Sequence, residues 1–297
     1  MIAIWLEDGR LVVRHDVPPP EPPRGETLIR VLIAGICNTD LELVRGYYPY
    51  TGILGHEFVG IVEWGPEALI GRRVVGEINA SCGSCRECSA DRPRHCRNRT
   101  VLGIAGRPGA FAEYLALPAS NLHMVPSEVS MEAAVFTEPL AAALEIQEQV
   151  TVAPTDRVLV VGDGKLGLLV AQSLAATGCE LLVIGRHRAK LELLAARGIR
   201  TGLDADAESA SFDVAVECTG NAEGFEIARA ALRPRGTLAM KSTYAGRLTV
   251  DASALVVDVM PLVHARYPLE EGVAAFEHAE RPGVLKVLLE VGVEEAA

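Results

Sequence analysis

The segment Val160-Val161-Gly162-Asp163-Gly164-Lys165-Leu166-Gly167 limits the fold more than any other stretch. An apolar run meets three glycines at the spacing G-x-G-x-x-G and passes into a sequence suited to helix. In a strand–turn–helix context, the first glycine makes the turn and the second lets backbone approach a pyrophosphate. The third lets helix pack on strand. Strands are expected at Arg157–Val161, Glu180–Ile184, Phe212–Glu217 and Thr237–Lys241, with helices at Lys165–Thr177, Ala189–Arg197 and Phe225–Leu232. This alternation predicts an α/β fold, a Rossmann-type doubly wound parallel sheet.

The residues before it read differently. Met1–Leu6 and Leu11–His15 flank Asp8-Gly9, a hairpin turn signal. The stretch Val17-Pro-Pro-Pro-Glu-Pro-Pro-Arg-Gly25 has too few backbone donors for a helix or a central strand. Strands are expected at Glu26–Ala34, from Gly55 through Ile61, at Arg73–Glu77 and at Ala110–Leu117. A short helix is expected at Thr39–Val44, and a longer one at Met131–Val150 broken near Pro139. This part predicts an irregular β-barrel with one inserted loop. Beyond Pro261, a helix Glu270–Ala279 and a strand Val284–Leu289 are expected to rejoin it. The expected domains are 1–148 (β-rich, with a zinc loop at 80–98), 149–258 (dinucleotide-binding) and 259–297 (return segment).

The chain has 297 residues, 49% of them hydrophobic, and a net charge of −11. That charge argues against non-specific nucleic-acid binding, which needs a positive field. No apolar run reaches the roughly 18–20 residues needed to span a bilayer, and the N-terminus lacks the basic region of a signal peptide. Four of the seven cysteines lie close together at metal-like spacing, which suits a reducing cytoplasm better than a disulfide framework.

Cys82, Cys85, Cys88 and Cys96 have the spacing C-x2-C-x2-C-x7-C. Four thiolates close a tetrahedral Zn²⁺ shell with no open position, the pattern of a structural site. An iron–sulfur cluster also takes four cysteines. Separately, Cys37, with Thr39 and Asp40 just after it, and His56-Glu57 form a second metal-capable set. Tyr47, Tyr48 and Tyr50 read either as surface packing or as a wall of a substrate pocket.

Taken in order, Gly35-Ile-Cys37-Asn-Thr39-Asp40, Gly55-His56-Glu57-Phe-Val-Gly60, the four-cysteine loop, Thr137-Glu138-Pro139-Leu140 and Gly162-x-Gly164-x-x-Gly167 resemble the zinc-dependent medium-chain dehydrogenase/reductase family. Its alcohol, polyol and threonine dehydrogenase branches are the most similar. The resemblance implies a GroES-like catalytic domain beside the Rossmann domain, and two zinc ions per chain. Cys37, His56 and Glu138 match ligands of the catalytic zinc, and Glu57 matches an acid able to exchange with water as a ligand. Cys82, Cys85, Cys88 and Cys96 match the structural zinc site. A zinc ion with one open position lowers the pKa of an alcohol, so that hydride can pass to a nicotinamide. Thr39 matches a hydroxyl that passes the alcohol proton onward, and Asp40 an acid that orients His56. Glu42 stands where many relatives have a histidine at the relay's outer end.

Gly162, Gly164, Lys165, Leu166 and Gly167 are the expected cofactor-binding loop. Where NAD enzymes place an acid for the ribose 2′-OH, about 20 residues on, this chain has Gly185, followed by Arg186 and Arg188. That favours NADP over NAD, with the two arginines on the 2′-phosphate. The chain is shorter than the family, and the shortfall falls at Leu248–Val259. One sheet strand and its helix are expected to be absent there, unless Leu248–Val257 fills the gap, which puts the usual dimer edge in doubt. The main expectation is an alcohol or polyol dehydrogenase acting on a small molecule. The alternative is a catalytically impaired relative that binds dinucleotide and zinc as a sensor or scaffold.

Overall fold

The structure, a computed structural model, describes residues 1–206, 208–242, 263–268, 271–282, 284 and 286–290. The chain divides into two compact units, Met1–Gly246 and Arg247–Ala297.

The first unit begins with strands β1 (Ala3–Glu7), β2 (Arg10–Arg14) and β3 (Glu26–Gly35), helix α1 (Asn38–Val44), and strands β4 (Gly52–Ile53) and β5 (Glu57–Trp64). It continues through β6 (Arg73–Gly76), β7 (Asn79–Ala80), helix α2 (Arg86–Ser89), β8 (Thr100–Leu102), β9 (Gly106–Arg107), β10 (Tyr114–Pro118) and β11 (Leu122–Met124). Helices α3 (Met131–Ala134) and α4 (Thr137–Gln149) follow. Then come β12 (Arg157–Val161), α5 (Lys165–Ala175), β13 (Glu180–Gly185), α6 (Arg188–Ala195), β14 (Arg200–Leu203), β15 (Phe212–Glu217), α7 (Ala222–Ala231) and β16 (Leu232–Met240).

The Asp8-Gly9 hairpin forms as expected: Glu7 faces Arg10, and both turn residues take positive φ, 48° and 72°. The main antiparallel sheet runs β10-β3-β5-β6-β11. Ile29, Phe58, Val62, Val74, Leu115 and Leu117 fill its inner face. The short strands β4, β7, β8, β9, β11 and β14 were not expected, because two to four residues give too little periodicity to read. The break in the long helix falls at Val135-Phe136 rather than at Pro139. Pro139 lies in the first turn of α4, where a missing N–H interrupts no helical bond.

The second sheet is parallel, with order β14-β13-β12-β15-β16. Its centre is apolar on both faces. Val158 and Val160 of β12 pack with Val170, Leu174 and Val183, while Leu159 and Val161 pack with Ile184, Ala215 and Ala228. Successive strand residues point to opposite faces, so a strand covered on both sides needs an unbroken apolar run. Gly162, at φ 121°, turns the chain from β12 into α5. A Cβ on Gly167 would sit 2.0 Å from the Gly162 carbonyl oxygen, so only glycine allows this helix-to-turn approach.

The second unit contains parallel strands β17 (Val263–Pro268) and β18 (Lys286–Glu290), with helix α8 (Gly272–Ala279) between them in sequence. The expectations about residues 248–259 lie outside the described residues. Among the described residues, no helix is long and apolar enough to cross a membrane.

Candidate active site

Strands β3 and β5 pair antiparallel with Gly35 opposite Glu57, so the end of one strand meets the start of the other. This register sets Cys37, two residues past β3, beside His56 and Glu57. Ligand atoms of Cys37, His56 and Glu57 all lie within 4.8 Å of one another, a geometry able to hold one metal ion. Gly35 makes room for it: a Cβ there would stand 2.2 Å from Glu57 Oε2.

Asp40 holds the two loops in place. It is 2% exposed. Its Oδ2 accepts from the Cys37 backbone N–H at 2.9 Å and its Oδ1 from the Gly55 N–H at 3.1 Å. The same Oδ1 lies 3.4 Å from His56 Nδ1. That contact lacks hydrogen-bond geometry, and buried His56 Nδ1 has no partner. Burial works to lower the His56 pKa, but the Asp40 and Cys37 side chains outweigh it and push it up to about 10. Burial raises Glu57, against the opposing pull of His56. The Thr39 hydroxyl lies 3.7 Å from Cys37 Sγ.

Glu138, in the first turn of α4, is half-buried and stands outside the three-residue group. Burial raises its pKa, and the charges of His56 and Glu57 act on it. It therefore belongs to the same electrostatic environment. Glu42 pairs with Arg45 at 2.5 Å. The Tyr50 hydroxyl donates to Ile53 O at 2.6 Å, while Tyr47 and Tyr48 are exposed.

The four cysteines of the inserted loop converge. Their Sγ atoms are 3.5 Å apart for Cys85–Cys88, 3.7 Å for Cys85–Cys96 and 3.5 Å for Cys82–Cys96. Zn–S bonds of about 2.3 Å in a tetrahedron put sulfurs about 3.8 Å apart, so the donor set fits zinc. The backbone N–H of Ser84, with Cys96, lowers the Cys82 pKa to about 6, favouring the thiolate that a metal needs.

The glycine loop opens α5. The Lys165 ammonium crosses to donate to the carbonyl of Ile36, the residue before Cys37. Arg186 is committed elsewhere, 3.1 Å from Asp204 and 2.5 Å from Glu223. Arg188 is exposed at the start of α6. The sequence reading missed Asp163 and His187, which interact beside Gly185. The signals for it were an acid between two glycines of the loop and a glycine at the end of the following strand.

Residues 23–127 match the alcohol dehydrogenase GroES-like domain. The chain is 33% identical to an L-threonine 3-dehydrogenase of Streptomyces avermitilis, over 95% of this chain and 86% of that one. It belongs to the zinc-dependent medium-chain dehydrogenase/reductase family. It is therefore an oxidoreductase built from a GroES-like domain and a Rossmann domain. A second relative, the L-threonine 3-dehydrogenase of Streptomyces coelicolor, is 33% identical over 99% of this chain and 87% of its own. Among solved structures, the alcohol dehydrogenase TADH from Thermus sp. ATN1 is 28% identical with a TM-score of 0.74, covering 98% of this chain and all of that one. A zinc-binding dehydrogenase from Sinorhizobium meliloti 1021, bound to NADP, is 26% identical with a TM-score of 0.76, covering 97% and 98%.

Proposed function

We propose that this chain is a zinc-dependent dehydrogenase that moves a hydride between the CH–OH group of an alcohol or polyol, or the matching carbonyl, and a nicotinamide cofactor, preferring NADP. In this reading Cys37, His56 and Glu138 hold the catalytic zinc, and Glu57 is a ligand that exchanges with water. Zinc in that shell supplies a Lewis acid that lowers the pKa of the substrate hydroxyl. Thr39 receives the substrate proton, and Asp40 orients His56. Cys82, Cys85, Cys88 and Cys96 hold a second, structural zinc. Gly162, Gly164, Lys165, Leu166 and Gly167 bind the cofactor pyrophosphate at the start of α5, where backbone N–H groups and the helix dipole favour an anion. Residue 185 itself carries no acid, and the cations of Arg188 and Lys190 stand close by, which supports NADP over NAD. Residues 1–148 form the catalytic domain in this reading, and 149–258 bind the cofactor.

The observation that carries this reading is the Lys165–Ile36 contact. It joins the glycine loop to the loop of Cys37, which supports a reading in which substrate and cofactor meet there. The test is cofactor reduction with a panel of alcohols, polyols and amino alcohols, using NADP and NAD, alongside zinc analysis. β-Hydroxy amino acids belong in the panel because of the threonine dehydrogenase relatives. Two zinc per chain and turnover of one substrate class are expected. One zinc, with cofactor binding but no turnover across the panel, would refute the reading.

A further inference from the structure

Gly185 leaves no empty space at the end of β13. A Cβ built on it would lie 2.5 Å from Asp163 Oδ2 and 2.6 Å from Asp163 Cβ. The glycine loop thus fills, with its own acid, the place where the following strand would carry one. In sheets of this kind that place faces the 2′ position of the cofactor's adenosine ribose.

Asp163 is not open to a ribose hydroxyl. Its side chain is 8% exposed. Oδ2 accepts from the His187 backbone N–H at 2.6 Å, and His187 Nδ1 lies 2.9 and 3.0 Å from the two oxygens. Lys190 Nζ stands 3.7 Å from Oδ1 and 3.5 Å from His187 Nδ1. Over this buried acid lies the His187 ring, 59% exposed. With Nδ1 fixed by the carboxylate, Nε2 is the nitrogen left for a ligand. Arg186 bridges Asp204 and Glu223, so its charge is offset by two acids.

We infer that His187 and Lys190, rather than Arg186, take the 2′-phosphate of the cofactor, with Asp163 as the positioning residue that sets the His187 ring. The inference rests on the NADP reading above and names the groups behind it. Lys190 adds a flexible cation one turn into α6. Asp163 has two effects: its bulk requires glycine at 185, and its charge holds the ring. Arg186 acts as a strut between β13, Asp204 and the first turn of α7.

Calorimetric titration of the full chain with adenosine 2′,5′-bisphosphate and with 5′-AMP tests this without relying on turnover. Wild type is expected to bind the bisphosphate at least tenfold more tightly. His187→Ala should weaken the bisphosphate about tenfold and leave 5′-AMP within about twofold; tenfold is about 1.4 kcal/mol. Lys190→Ala should act in the same direction. Asp163→Asn, of nearly the same shape, should narrow the ratio of the two affinities. His187→Gln, which keeps a side-chain amide donor, should restore part of it and covers the case in which the alanine variant folds poorly. Arg186→Ala should leave the ratio unchanged. If the ratio survives in both His187 variants and collapses in Arg186→Ala, the inference is wrong while the NADP reading stands. If wild type binds 5′-AMP as tightly as the bisphosphate, the NADP reading itself fails, and the inference with it.

Discussion

The Lys165 ammonium donates a hydrogen bond to the carbonyl oxygen of Ile36. One partner begins helix α5, and the other precedes Cys37. A charged hydrogen bond contributes about 1.5–3 kcal/mol, but this one is exposed, so the lower end applies. Lys165→Met is expected to weaken cofactor binding about tenfold and slow hydride transfer, with little change in melting temperature. Fluorescence titration of NADPH and a deuterium isotope effect on turnover check this. Unchanged binding and an unchanged isotope effect would show the contact to be incidental.

Asp40 accepts from the backbone of both loops that carry metal-capable residues. Asp40→Asn exchanges one acceptor for a donor, so one buried N–H loses its partner, at a cost of about 1–3 kcal/mol. Zinc affinity is expected to fall about 10–100-fold, as for other residues that orient a ligand. Competition against a chelator measures the second effect and urea denaturation the first. Wild-type zinc affinity in the variant would count against an orienting role.

Cys96 is fully buried, with its Sγ close to two other cysteines. Cys96→Ser is expected to remove one zinc per chain and lower the melting temperature, while zinc at Cys37 and His56 stays. Elemental analysis with a thermal melt decides it. Unchanged zinc content would rule out a four-cysteine site.

Gly185→Asp would place the acid typical of NAD enzymes at the end of β13. Here it would collide with Asp163 and bring two like charges together. The expected outcome is a loss of about 1–3 kcal/mol through overpacking and no gain in NADH affinity. A stable variant that binds NADH more tightly would contradict the crowding at this position.

Burial works against the Asp163 charge. The His187 ring and backbone N–H, with Lys190, outweigh it and hold the carboxyl below the usual carboxylate range. A lowered folded-state pKa stabilises the protein above the unfolded value, about 3.9. That stability is lost as pH falls through the lower folded value. Asp163→Asn should therefore cost about 1–3 kcal/mol at pH 7 and progressively less below about pH 4. Denaturation curves at pH 7 and pH 3 compare the two; an equal cost at both would show that charge plays no part.

Much of this protein was legible in the chain itself, and for local reasons. The parallel sheet could be read because strands buried on both faces need unbroken apolar runs, as Val158–Val161 provide. The glycine loop and the four-cysteine loop could be read because a turn and a tetrahedral shell set residue type and spacing over a few positions. The hairpin at Asp8-Gly9 is equally local. Short strands such as β4 and β11 were not legible, since pairing with distant partners, not their own pattern, makes them strands.

The sequence by itself determined the fold class, the two metal-capable sets and the glycine loop. Only the tertiary structure decided what stands beside them. Asp40 meets Gly55 because β3 and β5 pair in one register. Asp163 fills the space at Gly185 because β12 and β13 lie side by side, with Val161 opposite Ile184. Lys165 reaches Ile36 across 129 residues of sequence. A motif records the chemistry of neighbours along the chain, but the space around each side chain is set by elements that meet only on folding.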